Sequence, residues 1–306
     1  MNEVYTFLNS VLLGTTPIIW AALGCLFAHR AGIYQLGLEG LMIIGAFASI
    51  GGAILTGSAW TGILLAMAVC VVISVIFWFV VVILKANAII AGLGLVGIGV
   101  GGTSFLEGAI FNTSGAVGAN ATIPAPVPGT ATGPLAILGS LSLLVYLVPV
   151  AAVLTWVLAR RTNFGLRVSA AGQYPFAATA AGVRVRLVQL GALCITGAMC
   201  AVGGSELSVG SLHAFSYDMT AGVGYVAFTA ALFGREEPWG VVLASFIFGI
   251  ATALGIFSQI HAIFGLPLEF IQMLPYIVTV LALWFAGWQW PQAGSAAEGA
   301  FAELRE

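Results

Sequence analysis

Charge is what this chain has least of. Only 7% of its 306 residues are Asp, Glu, Lys or Arg, where a soluble domain carries about a quarter. So few charges cannot cover a water-facing surface. A soluble enzyme and a nucleic-acid binder are therefore excluded, and a membrane-embedded chain is implied. Lysine is nearly missing. Its one copy, Lys85, stands in Val-Ile-Leu-Lys-Ala-Asn, which is not the GxxxxGK[ST] phosphate loop. Any ATP chemistry of that kind must come from another chain. Cysteine is scarce too. Cys25, Cys70, Cys194 and Cys200 lie in apolar runs without a CxxC pair and read as small buried residues. His29, His213 and His261 are far apart and lack metal-ligand spacing. No nucleophile-base constellation is recognisable, so no catalytic residue and no metal or cofactor site is assigned.

What the chain does have is apolar length. A membrane span needs about 20 mostly apolar residues. Nine such segments follow one another: 6–28, 36–55, 61–84, 87–111, 135–159, 187–207, a shorter one at 219–233, 239–260 and 268–288. The first is longer than a signal core and lacks a basic flank, so it is expected to be a span and not a leader. The loop 112–134 holds no charge and four prolines (Pro124, Pro126, Pro128, Pro134), which forbid a helix interior there. Its two glycosylation-like triplets, at Asn112 and Asn120, are too short to carry weight. The expected fold is all-α and polytopic, with about nine spans (range 8–10) in one membrane domain over 1–290 and a polar tail over 291–306. The short seventh and the glycine-rich fourth spans are the ones expected to be broken or re-entrant. A break is tolerated only where protein or water covers the backbone.

The few cations fix an orientation. Arg30, Lys85, the stretch 160–186, Arg235 and Arg305 are each separated by two spans, so all fall on one face. Short loops rich in Lys/Arg stay cytoplasmic. The N-terminus is then expected outside and the C-terminus inside. The stretch 160–186 holds five arginines (Arg160, Arg161, Arg167, Arg184, Arg186) and no acid. Within it, Pro175 to Ala181 reads as a short helix: Pro suits the first turn and Gly182 suits the position just past the end. Such an alanine-faced helix is marginal alone. It reads as a peg for a partner's groove, with a solvated loop as the plain alternative.

Acids and hydroxyls supply the remaining candidates. Glu39 is the intramembrane acid, within about one turn of the cytoplasmic end; a packing role is as good a reading as a path role. Glu107, Glu206, Asp218 and Glu269 fall near the outer face, either as ordinary interface acids or as an acidic rim that docks an external binding protein. Polar groups for a solute path are Thr15, Thr16, Ser49, Asn87, Thr103 and Ser104, although Ser and Thr also serve helix packing. No cation and no acid pair falls at mid-membrane, which suits a neutral polar solute. Gly92-Leu-Gly-Leu-Val-Gly97 matches GxGxxG but lacks the strand and the downstream acid of a dinucleotide site. It reads as close helix packing, with Gly97 and Gly101 in GxxxG spacing.

Four stretches resemble one family. Gln35-Leu-Gly-Leu-Glu-Gly-Leu-Met-Ile-Ile-Gly-Ala-Phe47, Ala86-Asn87 with Gly92-Leu93, Gly172 to Val185, and Met219 to Ala227 with Phe233-Gly-Arg-Glu-Glu-Pro238 are similar to signatures of permease subunits of ATP-binding-cassette importers for ribose, branched-chain amino acids and nucleosides. The length and the Leu-Glu-Gly motif resemble the smaller permease of nucleoside importers. Gln35 departs from the usual Asn, and Gln173-Tyr174 from the common Glu-Asn. The resemblance implies a half-transporter. It would pair with a second permease, a cytoplasmic ATPase that uses ATP and Mg, and an external solute-binding protein. It implies ATPase coupling through Gly172, Pro175, Ala177, Ala178, Ala181, Gly182 and Arg184. A nucleoside is the first solute expected and a simple sugar the second. The rival readings are an ion-coupled secondary transporter, which should show midplane ionisable groups and repeated halves, and an assembly protein of the membrane.

Overall fold

The computed structural model describes residues 2–111, 115–118, 123, 141–261 and 277. Ten helices follow in order: α1 Asn2–Arg30, α2 Leu38–Thr56, α3 Ala59–Trp78, α4 Ala88–Phe111, α5 Leu143–Arg160, α6 Asn163–Gln173, α7 Pro175–Ala180, α8 Val185–Ser205, α9 Val223–Phe233 and α10 Pro238–His261. Wider π-helical turns prolong α3 over Phe79–Ile83 and α8 over Glu206–Leu212. Two short strands, β1 Val117–Gly118 and β2 Ala214–Phe215, pair antiparallel at the end opposite the arginines. Among the described residues seven helices are long and apolar enough to cross a membrane. The fold is therefore all-α and polytopic. The expected span 268–288, the tail 291–306, most of the loop 112–134 and the start of the segment 135–159 lie outside the described residues.

The bundle is built around α1 and α2. α1 packs against α8, α9 and α10, and α2 against α3, α4 and α8. Both are largely buried, while α3 and α4 bare most of their apolar surface. Small residues allow this density, since without a water-driven hydrophobic term membrane helices associate by close backbone contact. The α2–α4 crossing shows which glycines matter. A Cβ at Gly40 would lie 2.5 Å from the carbonyl of Leu95, and one at Gly99 would lie 2.8 Å from the Cα of Gly40. The packing glycines of α4 are thus Gly92 and Gly99, two helical turns apart. The expected pair, Gly97 and Gly101, sits on another face of α4 and touches nothing within 4 Å among the described residues.

Breaks occur in the bundle, but only one where expected. α4 is continuous over 24 residues. The short seventh segment is indeed a half-span: α9 has 11 residues, about 16 Å of helix against a hydrocarbon core of about 30 Å. The second break is at 31–37, between α1 and α2. This segment climbs into the bundle without helix. The carbonyl of Leu41, in the first turn of α2, accepts the thiol of Cys70 at 3.3 Å, midway along α3. Glu39 therefore lies deep in the membrane, not one turn from its edge. Helical continuity through 31–37 would have kept it near the edge, and the chain does not have that continuity.

Glu39 joins the two breaks. Its Oε1 accepts the backbone N–H of Gly222 at 2.9 Å, and its Oε2 that of Gly224 at 2.6 Å. Gly222 is the N-cap of α9, so the carboxylate stands on the positive end of that helix while also occupying the first turn of α2. Helix starts leave N–H groups without partners, and negative charge there is stabilising. Gly224 permits the approach, since a Cβ there would collide with the Glu39 backbone. Glu39→Gln should lower stability by about 2 kcal/mol, the loss of charge-assisted hydrogen bonds, read as a lower Tm of the purified protein in detergent. Gly224→Ala should be worse. An unchanged Tm for both variants would remove the carboxylate from its structural role.

Candidate functional site

The arginine-bearing end of the bundle carries a helical arm that the sequence singles out. Thr162 accepts the N–H of Gly165 at 3.3 Å and starts α6, a helix absent from the sequence reading. α6 leads through Tyr174 into α7, which begins at Pro175 as expected. Gly182, with φ +81°, takes the left-handed turn that the sequence places there. Gly172 presses α6 onto the end of α1: a Cβ at Gly172 would collide with the carbonyl of Arg30 and lie 2.8 Å from the amide of Gly32. The helical arm 163–184 is thereby braced on the start of the broken segment 31–37.

The contact surface of α7 differs from the expectation. Ala178 is 6% exposed and faces the chain's own interior, whereas Phe176 is 91% exposed and Tyr174 70%. Pro175, Ala177 and Ala181 are exposed beside them, as is Arg184 at the start of α8. Tyr174 and Phe176 form an exposed aromatic knob beside the exposed Ala177 and Ala181, while Ala178 is turned inward. The signal was available in the sequence: two aromatics, Tyr174 and Phe176, flanking Pro175 at the start of the expected helix.

Beside the arm sits an ionic cluster. Gly234 to Glu237 form a tight turn in which Arg235 (φ 54°) and Glu236 (φ 58°) are both left-handed, closed by the Glu237 N–H donating to the Gly234 carbonyl at 3.0 Å. Non-glycine residues held this way cost of order 1–3 kcal/mol each, and the surroundings hold them. Arg30 donates through Nε to the Glu236 carbonyl at 2.8 Å and through Nη1 to the Ala159 carbonyl at 3.1 Å. The Glu237 carboxylate lies 3.5 Å from Arg30 and is paired with Arg160. Burial pushes the Glu236 carboxyl above its ordinary range, against the pull of Arg30. A cavity of about 410 Å³ opens between these groups and α6. The ends of α1, α5 and α9 are thus tied at one point.

The expected solute-path residues do not converge. Asn87 caps α4, its Oδ1 accepting the N–H of Ile89 at 2.9 Å and of Ile90 at 3.3 Å. Thr103 is buried and donates to the Gly99 carbonyl of its own helix at 2.7 Å. Ser104 is exposed on the outer side of α4, and Glu39 is the α9 cap described above. Thr15 and Thr16 likewise donate to carbonyls one turn back. Of the hydroxyls, Ser49 reaches across to another helix, 2.8 Å from the hydroxyl of Ser208.

Of the four acids expected on an outer rim, two are buried. Glu206 is fully buried and accepts the hydroxyl of Ser142, the N-cap of α5, at 2.6 Å. Glu107 is 4% exposed. The π turn that begins at Glu206 rotates the side chain inward, toward the start of α5. Asp218 is exposed, and Glu269 lies outside the described residues.

Relatives of known assignment cover nearly all of the chain. It is 30% identical over 291 residues to the guanosine ABC transporter permease protein NupQ of Bacillus subtilis (strain 168), which spans 90% of this chain and 89% of that protein. It is 30% identical over 298 residues to the nucleoside ABC transporter permease protein NupC of Lactococcus lactis subsp. cremoris (strain MG1363), 92% of both chains. It is 28% identical over 297 residues to the glucose ABC transporter permease protein TsgB13 of Haloferax volcanii, 90% of this chain and 76% of that one. No solved structure matches. Residues 7–283 match the permease component of the branched-chain amino acid transport system, and the chain belongs to that permease family.

Proposed function

We propose that this chain is one of two membrane-spanning subunits of an ATP-driven importer that moves a neutral polar solute, a nucleoside first and a simple sugar second. The observation that carries the solute class is the likeness, over about nine tenths of both chains, to permeases named for guanosine and for nucleosides. The glucose permease relative supports sugar as the second reading. The partners of such a subunit are a second permease, an ATPase that binds ATP and Mg in place of this chain, and an external solute-binding protein. The arginine-bearing face is cytoplasmic, with the N-terminus outside and the C-terminus inside, as the positive-inside rule requires. There the knob of Tyr174 and Phe176 enters a groove of the ATPase. Movement of the arm passes to α1 and the segment 31–37 through Gly172.

Nucleotide shifts the bundle only if the ATPase grips the arm differently in its two states. Exposed aromatics that fill a partner's pocket dominate such contacts. Phe176→Ala should therefore cut ATP-dependent uptake at least tenfold while the subunit still inserts and the ATPase still hydrolyses ATP. Wild-type uptake in that variant would dismiss the knob. In proteoliposomes, nucleoside uptake should need the ATPase, ATP and the binding protein together. Uptake by this chain alone on an ion gradient would establish a secondary transporter instead. Asn163→Cys should resist a membrane-impermeant thiol reagent in sealed cells, and labelling from outside would reverse the orientation.

A further inference from the structure

The arm and the first turn of α8 enclose a second cavity, of about 520 Å³. It is separate from the ionic cluster, and its chemistry is different. Its floor is apolar: Phe164 from α6, and Leu187 and Val188 from α8. Its rim carries Arg167 and Arg184. Both arginines are exposed, and among the described residues neither has an ion pair or hydrogen bond from its side chain. No acid lines the cavity, whereas the neighbouring cluster sets Glu236 and Glu237 against its arginines. The start of α8 adds the positive end of a 21-residue helix.

The depth of the cavity is fixed by its floor. Helix α8, long and apolar enough to cross a membrane, begins at Val185, so Leu187 and Val188 lie in its first turn. The Phe164 ring reaches further in, and a Cβ at Gly191 would lie 3.1 Å from it. On the adjoining helix, the Trp78 indole N–H donates to the Arg186 carbonyl at 3.0 Å. Trp gathers where hydrocarbon meets headgroups. The cavity is therefore half in each phase, with cations on the wet side and apolar walls on the dry side.

From this geometry we infer that the cavity is a binding site for an anionic phospholipid. The phosphodiester pairs with Arg167 and Arg184, and the upper acyl chain lies on Phe164, Leu187 and Val188. Guanidinium groups match phosphate oxygens in charge and in geometry, and basic pockets at helix ends select anionic headgroups. A zwitterionic lipid carries its own cation against the same two arginines and is disfavoured. A bound lipid would brace the arm against the membrane beside α7. The inference goes beyond the transport reading and does not depend on it.

Native mass spectrometry of the full purified chain, titrated with dioleoylphosphatidylglycerol or dioleoylphosphatidylcholine, tests this. The wild type should retain the glycerol lipid preferentially. Arg167→Gln with Arg184→Gln should weaken retention ~25-fold, about fivefold for each cation near a headgroup. The Lys/Lys pair at the same positions should keep most of it. Arg161→Gln should change nothing, because that guanidinium stacks on Trp156, 5.2 Å from the ring centroid. A folded Gln/Gln variant, with Tm unchanged, that retains lipid normally would overturn the site, as would equal retention of both lipids by the wild type. Displacement of the lipid by millimolar inorganic phosphate would reassign the cavity to free anions. Loss of ATPase association in the Gln/Gln variant with lipid retention intact would reassign it to the partner protein.

Discussion

A carboxylate buried among membrane helices must find positive potential, and this chain has almost no cations inside the membrane to provide it. Moving such an ion out of water costs several kcal/mol even after relaxation. Glu39 meets that cost with backbone alone. Two short N–H donors from the start of α9 contribute roughly 1.5–3 kcal/mol each as bonds to a charged group, and the dipole of that helix adds to them. The benefit is mutual. α9 starts at mid-depth, where an unpaired N–H costs several kcal/mol, and the carboxylate removes two such groups. Glu39 is thus matched to a helix start, which lets a chain with little charge keep this carboxylate in its interior. Glu206, at the far end, has a different partner, the hydroxyl of Ser142, the N-cap of α5.

This constraint gives the bundle a closed mechanical loop. The break at 31–37 leads to Glu39, Glu39 holds the start of α9, and α9 ends in the strained turn at Arg235 and Glu236. That turn returns to Arg30, the last residue of α1, where the break began. The arm meets the loop at the backbone contact of Gly172 with Arg30 and Gly32. In the proposed assembly a push on the arm would reach both discontinuous segments through that contact. Coupling of this kind needs elements with two discrete arrangements. Non-helical segments inside a membrane are the natural choice, since their backbone is held by specific contacts and not by a continuous helix ladder.

Most of the architecture was legible in composition and apolar period: the long helices, their order, the helix beginning at Pro175, the left-handed Gly182 and the half-length seventh segment. What could not be read was depth and direction. Gly32 marks where α1 stops, with φ +78°, but nothing in Ala31 to Gly37 marks how deep the segment then climbs, which its long-range contacts decide. Glu39 was therefore set at the membrane edge. The same blindness misplaced Glu206 and Glu107, whose sequence position near a span end says nothing about which way a π turn or a helix face points. For α4, the GxxxG pattern named the wrong glycines. Gly92 and Gly99 carry the contact because α2 presents its own glycines, Gly37 and Gly40, at the matching height, a fact that belongs to the pair of helices and not to either alone. Ala178 and Phe176 exchanged roles for a related reason, since a six-residue helix must seat one face on its own protein before it can offer another.

The electrostatics of the interior also bear on what the permease can carry. A carboxylate that is neutralised by backbone dipoles keeps its position but presents little net field to a passing solute. Had Glu39 been paired with a lysine or arginine, that cation would have had to stay with the acid through every conformational change, or be left uncompensated in lipid at a cost of several kcal/mol. The N–H groups of α9 move with the helix they cap, so the acid and its compensation travel together. Discontinuous helices of this sort commonly turn their dipoles toward charged cargo. Here the dipole of α9 is already answered by Glu39. Among the described residues, an interior arranged in this way suits an uncharged, hydrogen-bonding molecule better than an anionic one.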